Sequence, residues 1–272
     1  MFIFLTMSTI YVVLMLVFYK GEKMKKIFLS IALCSGVLFA QNVPDATRAE
    51  YFMCKLNEGK TMSDMAKWSE NWKKTVEASD AGFNYAAFML TPRYRTPLNE
   101  FDFIWVGNTP SSGDLGRAND FWLGDDAAKL RNSLPAVCTQ GFNAVQWIGE
   151  SNFSPAELAD QYPITYAYCN LKDDKTMADA YAAASAVTKM QQTLNKTSFR
   201  LIRPNNGAPA ALMEYDFVMS FVSSSWSEWG ATIDNFWENF SDTEEVQTRR
   251  DTFSCENSRM YSGTVVAIIN NS

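Results

Sequence analysis

The sequence predicts an α+β protein made of two tandem copies of one β-α-β-β-α-β unit. The first observation behind this is a repeated sentence. Cys54-Lys55-Leu56-Asn57-Glu58-Gly59-Lys60-Thr61-Met62-Ser63-Asp64 returns 115 residues later as Cys169-Asn170-Leu171-Lys172-Asp173-Asp174-Lys175-Thr176-Met177-Ala178-Asp179. The second is the order of smaller echoes. Glu100-Phe101-Asp102-Phe103 returns as Glu214-Tyr215-Asp216-Phe217, Phe121-Trp122 as Phe236-Trp237, and Cys138 as Cys255. Matches in one order at nearly one spacing mark a duplication in which each copy is one folding unit. A chain of 272 residues is the right length for two such units.

The elements follow in order. Glu50 to Leu56 is a short apolar and aromatic run, suited to a strand. Thr61 to Ser79 carries Met65, Trp68, Trp72 and Val76 at helical spacing. Tyr85 to Leu90 is expected as a second strand stopped by Pro92, and Phe101 to Val106 as a third. Leu115 to Trp122 reads as a helix and Phe142 to Ile148 as a fourth strand. In the second copy the strands fall at Ile164–Leu171, Ser198–Ile202, Tyr215–Val222 and Tyr261–Ile269, and the helices at Thr176–Leu194 and Glu228–Asn239. The repeats are assigned to residues 45–148 and 164–270, with a linker over 149–163.

This order is the split βαβ, or ferredoxin-like, arrangement. There the fourth strand lies antiparallel beside the first, so the end of one meets the start of the other. Cys54 and Cys169 end first strands; Cys138 and Cys255 precede fourth strands. The expected disulfides are therefore Cys54–Cys138 and Cys169–Cys255, since bridging needs Cα atoms within roughly 4.4–6.8 Å. With these features the chain resembles the dimeric α+β barrel superfamily over residues 49–270. The resemblance implies two ferredoxin-like repeats packed sheet against sheet as a pseudo-dimeric barrel, with a pocket between each sheet and the helices or loops around it. It also implies a range of activities: small monooxygenases, haem-degrading enzymes, isomerases and proteins without known chemistry.

Met24-Lys25-Lys26, the apolar run Ile27 to Phe39, and Ala40-Gln41 read as a bacterial-type signal peptide over 24–40. Residues 1–23 read as an over-extended N-terminus, with an extra hydrophobic anchor as the alternative. Cleavage after Ala40 would remove four Lys and one Glu, taking the net charge from −6 to −9. Such an acidic product is a poor partner for nucleic acid or anionic membranes. A periplasmic or secreted protein without stable membrane insertion is expected. Cleavage would also remove Cys34, and the four cysteines that remain in an exported chain read as disulfides and not as a zinc site.

Histidine is absent from the sequence. That removes Ser-His-Asp and Cys-His nucleophile systems and histidine-held metals. A haem on a proximal histidine, implied by part of the superfamily, has no ligand. No cofactor and no metal are expected.

The repeated K-T-M-x-D segment is mostly a capping box: Thr61 and Thr176 as N-caps, Asp64 and Asp179 at N3. Lys60 and Lys175 are left over, as are Asp102 and Asp216 at the start of the third strands. Each Lys is a potential partner of the Asp in its copy, as a structural ion pair or as pocket charges. Alternation sets Phe101, Phe103 and Trp105 on one face of the third strand and Asp102, Ile104 and Val106 on the other, and Trp105 belongs to a tryptophan cluster that reads as core or as a ligand platform. Arg93-Tyr94-Arg95 has no counterpart in the second copy, where Pro204-Asn205-Asn206 stands, so a basic site built from Arg93 and Arg95 exists once. The expected function is an exported module that binds a small apolar or aromatic molecule, or a structural module, with its repeats paired in a monomer. The alternative is a cofactor-independent monooxygenase- or isomerase-like enzyme.

Overall fold

The computed structural model describes residues 43–270; the expected leader segments 1–23 and 24–40 lie outside them. The first half contains β1 (Thr47–Leu56), α1 (Met62–Glu77), β2 (Tyr85–Tyr94), β3 (Phe103–Thr109), α2 (Ser112–Leu123), a short α3 (Ala128–Ser133) and β4 (Ala136–Ile148). The second contains β5 (Tyr162–Leu171), α4 (Met177–Gln191), β6 (Thr197–Pro204), β7 (Phe217–Ser223), α5 (Trp226–Asn235), α6 (Glu244–Thr252) and β8 (Phe253–Ile269).

Each half has the ferredoxin-like strand order, β4-β1-β3-β2 and β8-β5-β7-β6. The two sheets join at both edges. β2 pairs with β8 from Tyr85↔Ile269 to Tyr94↔Met260, and β4 pairs with β6 from Ala144↔Pro204 to Ile148↔Arg200. The result is a closed eight-stranded antiparallel barrel. Closure pairs the outer strand edges of both halves, which would otherwise be open to other chains.

Period-two alternation sorts the side chains. Ile104 and Val106 of β3 point into the barrel with Ala49, Tyr51, Phe142 and Ile164. Phe103 and Trp105 point outward against Met65, Trp68, Trp72 and Val76 of α1. In the second half, Phe199, Leu201, Phe217 and Met219 meet Ala180, Ala183 and Ala184 of α4. Both long helices start at the repeated capping box. Thr61 accepts from Asp64 N while Asp64 accepts from Thr61 N at 2.9 Å, and Thr176 with Asp179 repeats this at 2.8 Å. Ser111 and Ser225 likewise cap α2 and α5, so the serine run before α5 ends in a helix cap.

Cys54 is bonded to Cys138 and Cys169 to Cys255. Each pair sits directly opposite in an antiparallel ladder, β1 with β4 and β5 with β8. Direct opposition explains why their Cα atoms are 3.9 and 4.0 Å apart, closer than the usual span.

Several expected boundaries move. β2 does not stop at Pro92: its register against β8 shifts between Pro92 and Tyr94, and this irregularity accommodates a residue with no N–H to donate. β3 begins at Phe103, not Phe101, so the alternation does not reach back; Phe101 turns into the barrel core, away from Phe103 and Trp105. The fourth strands start earlier than expected, at Ala136 and Phe253, because their first stretches are polar and exposed and carry no apolar alternation. The helices α3 and α6 have no apolar period. Val246 and Thr252 are the buried residues of α6.

The first half alone would leave β2 and β4 as bare edges and its barrel face wet. Expression of residues 41–150 should give a homodimer or an aggregate, read by size-exclusion chromatography with light scattering. A stable monomer of that half would contradict the dependence of each sheet on the other.

Candidate functional site

A cavity of about 360 Å³ lies between the outer face of the first sheet and helices α1 and α2. Its walls are aromatic: Trp68 and Trp72 from α1, Phe121 and Trp122 from α2, and Phe52, Phe103 and Trp105 from the sheet. The rings meet mostly edge to face, Trp68 with Trp105 at 5.9 Å and with Trp122 at 6.2 Å, and Trp72 with Trp105 at 5.1 Å. The Trp68 indole N–H donates to Leu130 O at 3.0 Å, which ties α1 to α3 and fixes the ring. The Cys54–Cys138 bridge lies in the wall, and Asn119 and Cys138 are its exposed members.

One polar chain crosses this apolar space. The Tyr85 hydroxyl donates to Glu50 Oε1 at 2.6 Å and accepts from Trp105 Nε1 at 3.1 Å. Burial pushes the Glu50 carboxyl above its ordinary value, and the Tyr85 hydrogen bond pulls it only part of the way back. Burial, then the Glu50 charge, pushes the Tyr85 phenol well above its own ordinary value. The arrangement places one buried carboxyl, held by a phenol, against an aromatic cavity.

The position of Tyr85 depends on a neighbour with no side chain. A Cβ at Gly107, next to Tyr85 on the sheet face, would stand 1.8 Å from the Tyr85 hydroxyl. Strand register equates Gly107 with Phe221, Glu50 with Thr165, Tyr85 with Thr197 and Trp105 with Met219. On the helices, Trp68 and Trp72 correspond to Ala183 and Val187. The second half therefore carries none of these polar or indole groups, and small α4 residues bring that helix onto its sheet.

A second cavity, of about 280 Å³, lies inside the barrel at one end. It is lined by Tyr51, Phe101, Phe142, Tyr166, Tyr168 and Tyr261, among others, and by Arg95 and Arg259.

The residues singled out in the sequence are thus dispersed. Trp105 is in the aromatic cavity. Arg95 lines the barrel cavity, on the opposite face of the same sheet. Arg93 is exposed and lies 5.8 Å over the Trp226 ring, outside both. Lys60 and Lys175 are exposed. Asp102 accepts from Leu56 N at 2.7 Å, and Asp216 from Leu171 N at 2.8 Å. The repeated aspartates therefore hold backbone N–H groups at the ends of β1 and β5. Among the described residues, the ion pairs do not join Lys60 to Asp102 or Lys175 to Asp216. Glu50 and Tyr85 were missed. The available signal was a lone Glu in an aromatic strand, opposite a Gly where the other repeat has Phe.

No family model matches this sequence, and no curated protein matches it. Solved structures do. An anthrone oxidase-like protein superposes with a TM-score of 0.50 at 13% identity, over 84% of this chain and 94% of that one. The chain has the dimeric α+β barrel fold. Weaker matches with this barrel are a dye-decolorizing peroxidase from Bacteroides thetaiotaomicron (TM-score 0.48, 7% identity, 82% and 94% covered) and a chlorite dismutase mutant from Candidatus Nitrospira defluvii (0.44, 8%, 81% and 91%). In this α+β barrel both halves belong to one polypeptide, so the outer faces of the two sheets are free to differ. A haem held by histidine does not fit the donor set, because the chain has no histidine. Among the described residues no cluster of His, Cys, Asp or Glu could hold a metal ion.

Two outcomes follow from the Glu50–Tyr85–Trp105 chain. Tyr85→Phe leaves a buried carboxyl and an indole N–H without their partner, and should lower unfolding free energy by about 1–3 kcal/mol in urea titration. Glu50, with its folded pKa raised, favours folding below its ordinary value of 4.5 and opposes it as pH rises through the raised value. The melting temperature of Glu50→Gln should therefore gain on wild type as pH rises through that window. A constant difference would show that burial does not raise the Glu50 carboxyl above its ordinary value.

Proposed function

We propose that the aromatic cavity of the first half binds a small aromatic molecule carrying one polar group, which meets Glu50 and Tyr85 at the cavity wall. The observation that carries this is the Tyr85–Glu50 hydrogen bond inside a cavity lined by four indoles. A cavity of about 360 Å³ is in the range that small-molecule sites occupy, and few converging polar groups in apolar walls are their usual make-up. In this reading the protein is an exported monomer. Two disulfides support an oxidising compartment. Among the described residues no helix is long and apolar enough to cross a membrane.

The raised carboxyl favours a second reading. A buried carboxyl above its ordinary value can take a proton from a bound phenol or enol and return it elsewhere. Glu50 would be the base, Tyr85 the donor that orients it, and the aromatic walls would exclude water. That is the chemistry of a cofactor-independent isomerase, or of the deprotonation step of an oxygenase. The resemblance to an anthrone oxidase-like fold is compatible with it and does not choose the reaction.

The cavity's own tryptophans give the test. Titration with 1-naphthol should quench their fluorescence saturably, and naphthalene, without the hydroxyl, should bind about tenfold more weakly. Tyr85→Phe should erase that preference. No saturable quenching would overturn the site. Solvent hydrogen exchange into bound naphthol at its ring carbons, lost in Glu50→Gln, would select the enzyme; unchanged naphthol would select the binding module.

A further inference from the structure

We propose that the barrel interior is a second binding site, for a one-ring aromatic carboxylate, with Arg95 and Arg259 receiving the carboxylate. The cavity sits under the 95–101 and 204–212 segments at one end of the barrel. At about 30 Å³ per water it has room for roughly nine waters, or one ring with a short substituent.

Its charge balance is one-sided. Arg95, the residue that follows β2, has its side chain only 4% exposed. It pairs with Glu100 through Nη2 and lies 4.3 Å over the Phe101 ring. Its Nε and Nη1 are buried and meet no acceptor in the protein. Arg259, from β8, lies 4.7 Å over the Tyr168 ring and donates to the Tyr168 hydroxyl. Arg200, deeper in the barrel, donates to Asn108 Oδ1 at 3.4 Å. Among the described residues neither Arg259 nor Arg200 has a carboxylate partner, and Glu100 is 44% exposed. Three guanidinium groups thus face the barrel interior, and one carboxylate stands at its rim. Arg95, Glu100, Arg259 and Tyr261 all line this one cavity.

Buried guanidinium N–H groups left without acceptors are costly. A carboxylate supplies two acceptor oxygens of the right sign, and charge-assisted bonds to it are stronger than bonds to water. The remaining walls choose the body of the ligand. Tyr51 stacks on Phe142 at 5.0 Å, and Tyr261 meets Tyr166 edge-on at 5.7 Å. These rings suit an aromatic ring beyond the carboxylate. The first half supplies Arg95 and the second Arg259, so the site exists only in the closed barrel. It needs no residue of the Glu50–Tyr85 cavity.

Benzoate is the probe, with benzamide as its uncharged shape-mate, and calorimetry on the full chain as the measurement. Benzoate should bind at least about tenfold more tightly than benzamide. Arg95→Met and Arg259→Met should each weaken benzoate by about tenfold or more, and bring it near benzamide. Glu100→Gln removes the competing charge at the rim and should tighten benzoate, which tests the site even where an arginine variant folds poorly. Naphthol quenching in the outer cavity should persist in every variant that folds. Absence of saturable benzoate binding, equal affinity for benzamide, or benzoate affinity unmoved by Glu100→Gln and by both arginine variants would overturn the assignment. Phosphate binding as tightly as benzoate would overturn the aromatic class.

Discussion

Pairing of strand edges at the two seams, β2 with β8 and β4 with β6, is the constraint on which the rest depends. A ferredoxin-like sheet has helices on one face and two open edges. Its other face is apolar here, with Tyr51, Ile104, Val106 and Phe142 in the first half and Ile202, Val218 and Val222 in the second. Backbone pairing at both seams covers the edges and that face in one step. The tether between the halves favours the internal partner over a separate chain through effective concentration. Closure also creates the barrel interior, where side chains from both copies meet.

Duplication then frees the outer faces to diverge. The structural residues are the ones that repeat: the capping boxes, the disulfides, and the aspartates that hold the ends of β1 and β5. The residues that build the outer cavity of the first half do not repeat. Trp68 and Trp72 are bulky enough to leave irregular space around their rings, whereas Ala183 and Val187 let α4 settle close to the sheet. Gly107 leaves room for a tyrosine; Phe221 stands in its place in the other half. Repetition within one chain marks what the fold needs, and asymmetry marks where a ligand site can stand.

The same logic applies to charge. Glu50 and Tyr85 form one hydrogen-bonded unit within an apolar wall, so neither presents an uncompensated group. Arg95 is compensated on one side only, by Glu100 and the Phe101 ring. The two cavities sit on opposite faces of one sheet and differ in sign. The outer offers a carboxyl that burial raises above its ordinary value, the inner a cationic end.

The strand order, the starts of the two long helices α1 and α4 and both disulfide pairings were determined by the sequence alone, because they rest on local periodicity, capping chemistry and repetition. Trp105 and Arg95 were legible as candidates from the tryptophan cluster and from asymmetry between copies. The rest was not, for a physical reason. Whether Asp102 met Lys60 or a backbone N–H depended on where β3 begins, and pairing with β1 sets that. The polar first stretches of β4 and β8 are strands because of their partners across the ladder, not because of their own pattern. Glu50, Tyr85 and Trp105 lie on three strands, and Arg95 and Arg259 come from different copies. Only the register of the closed barrel decides that these groups meet, and register is a property of paired strands that no single stretch of sequence contains.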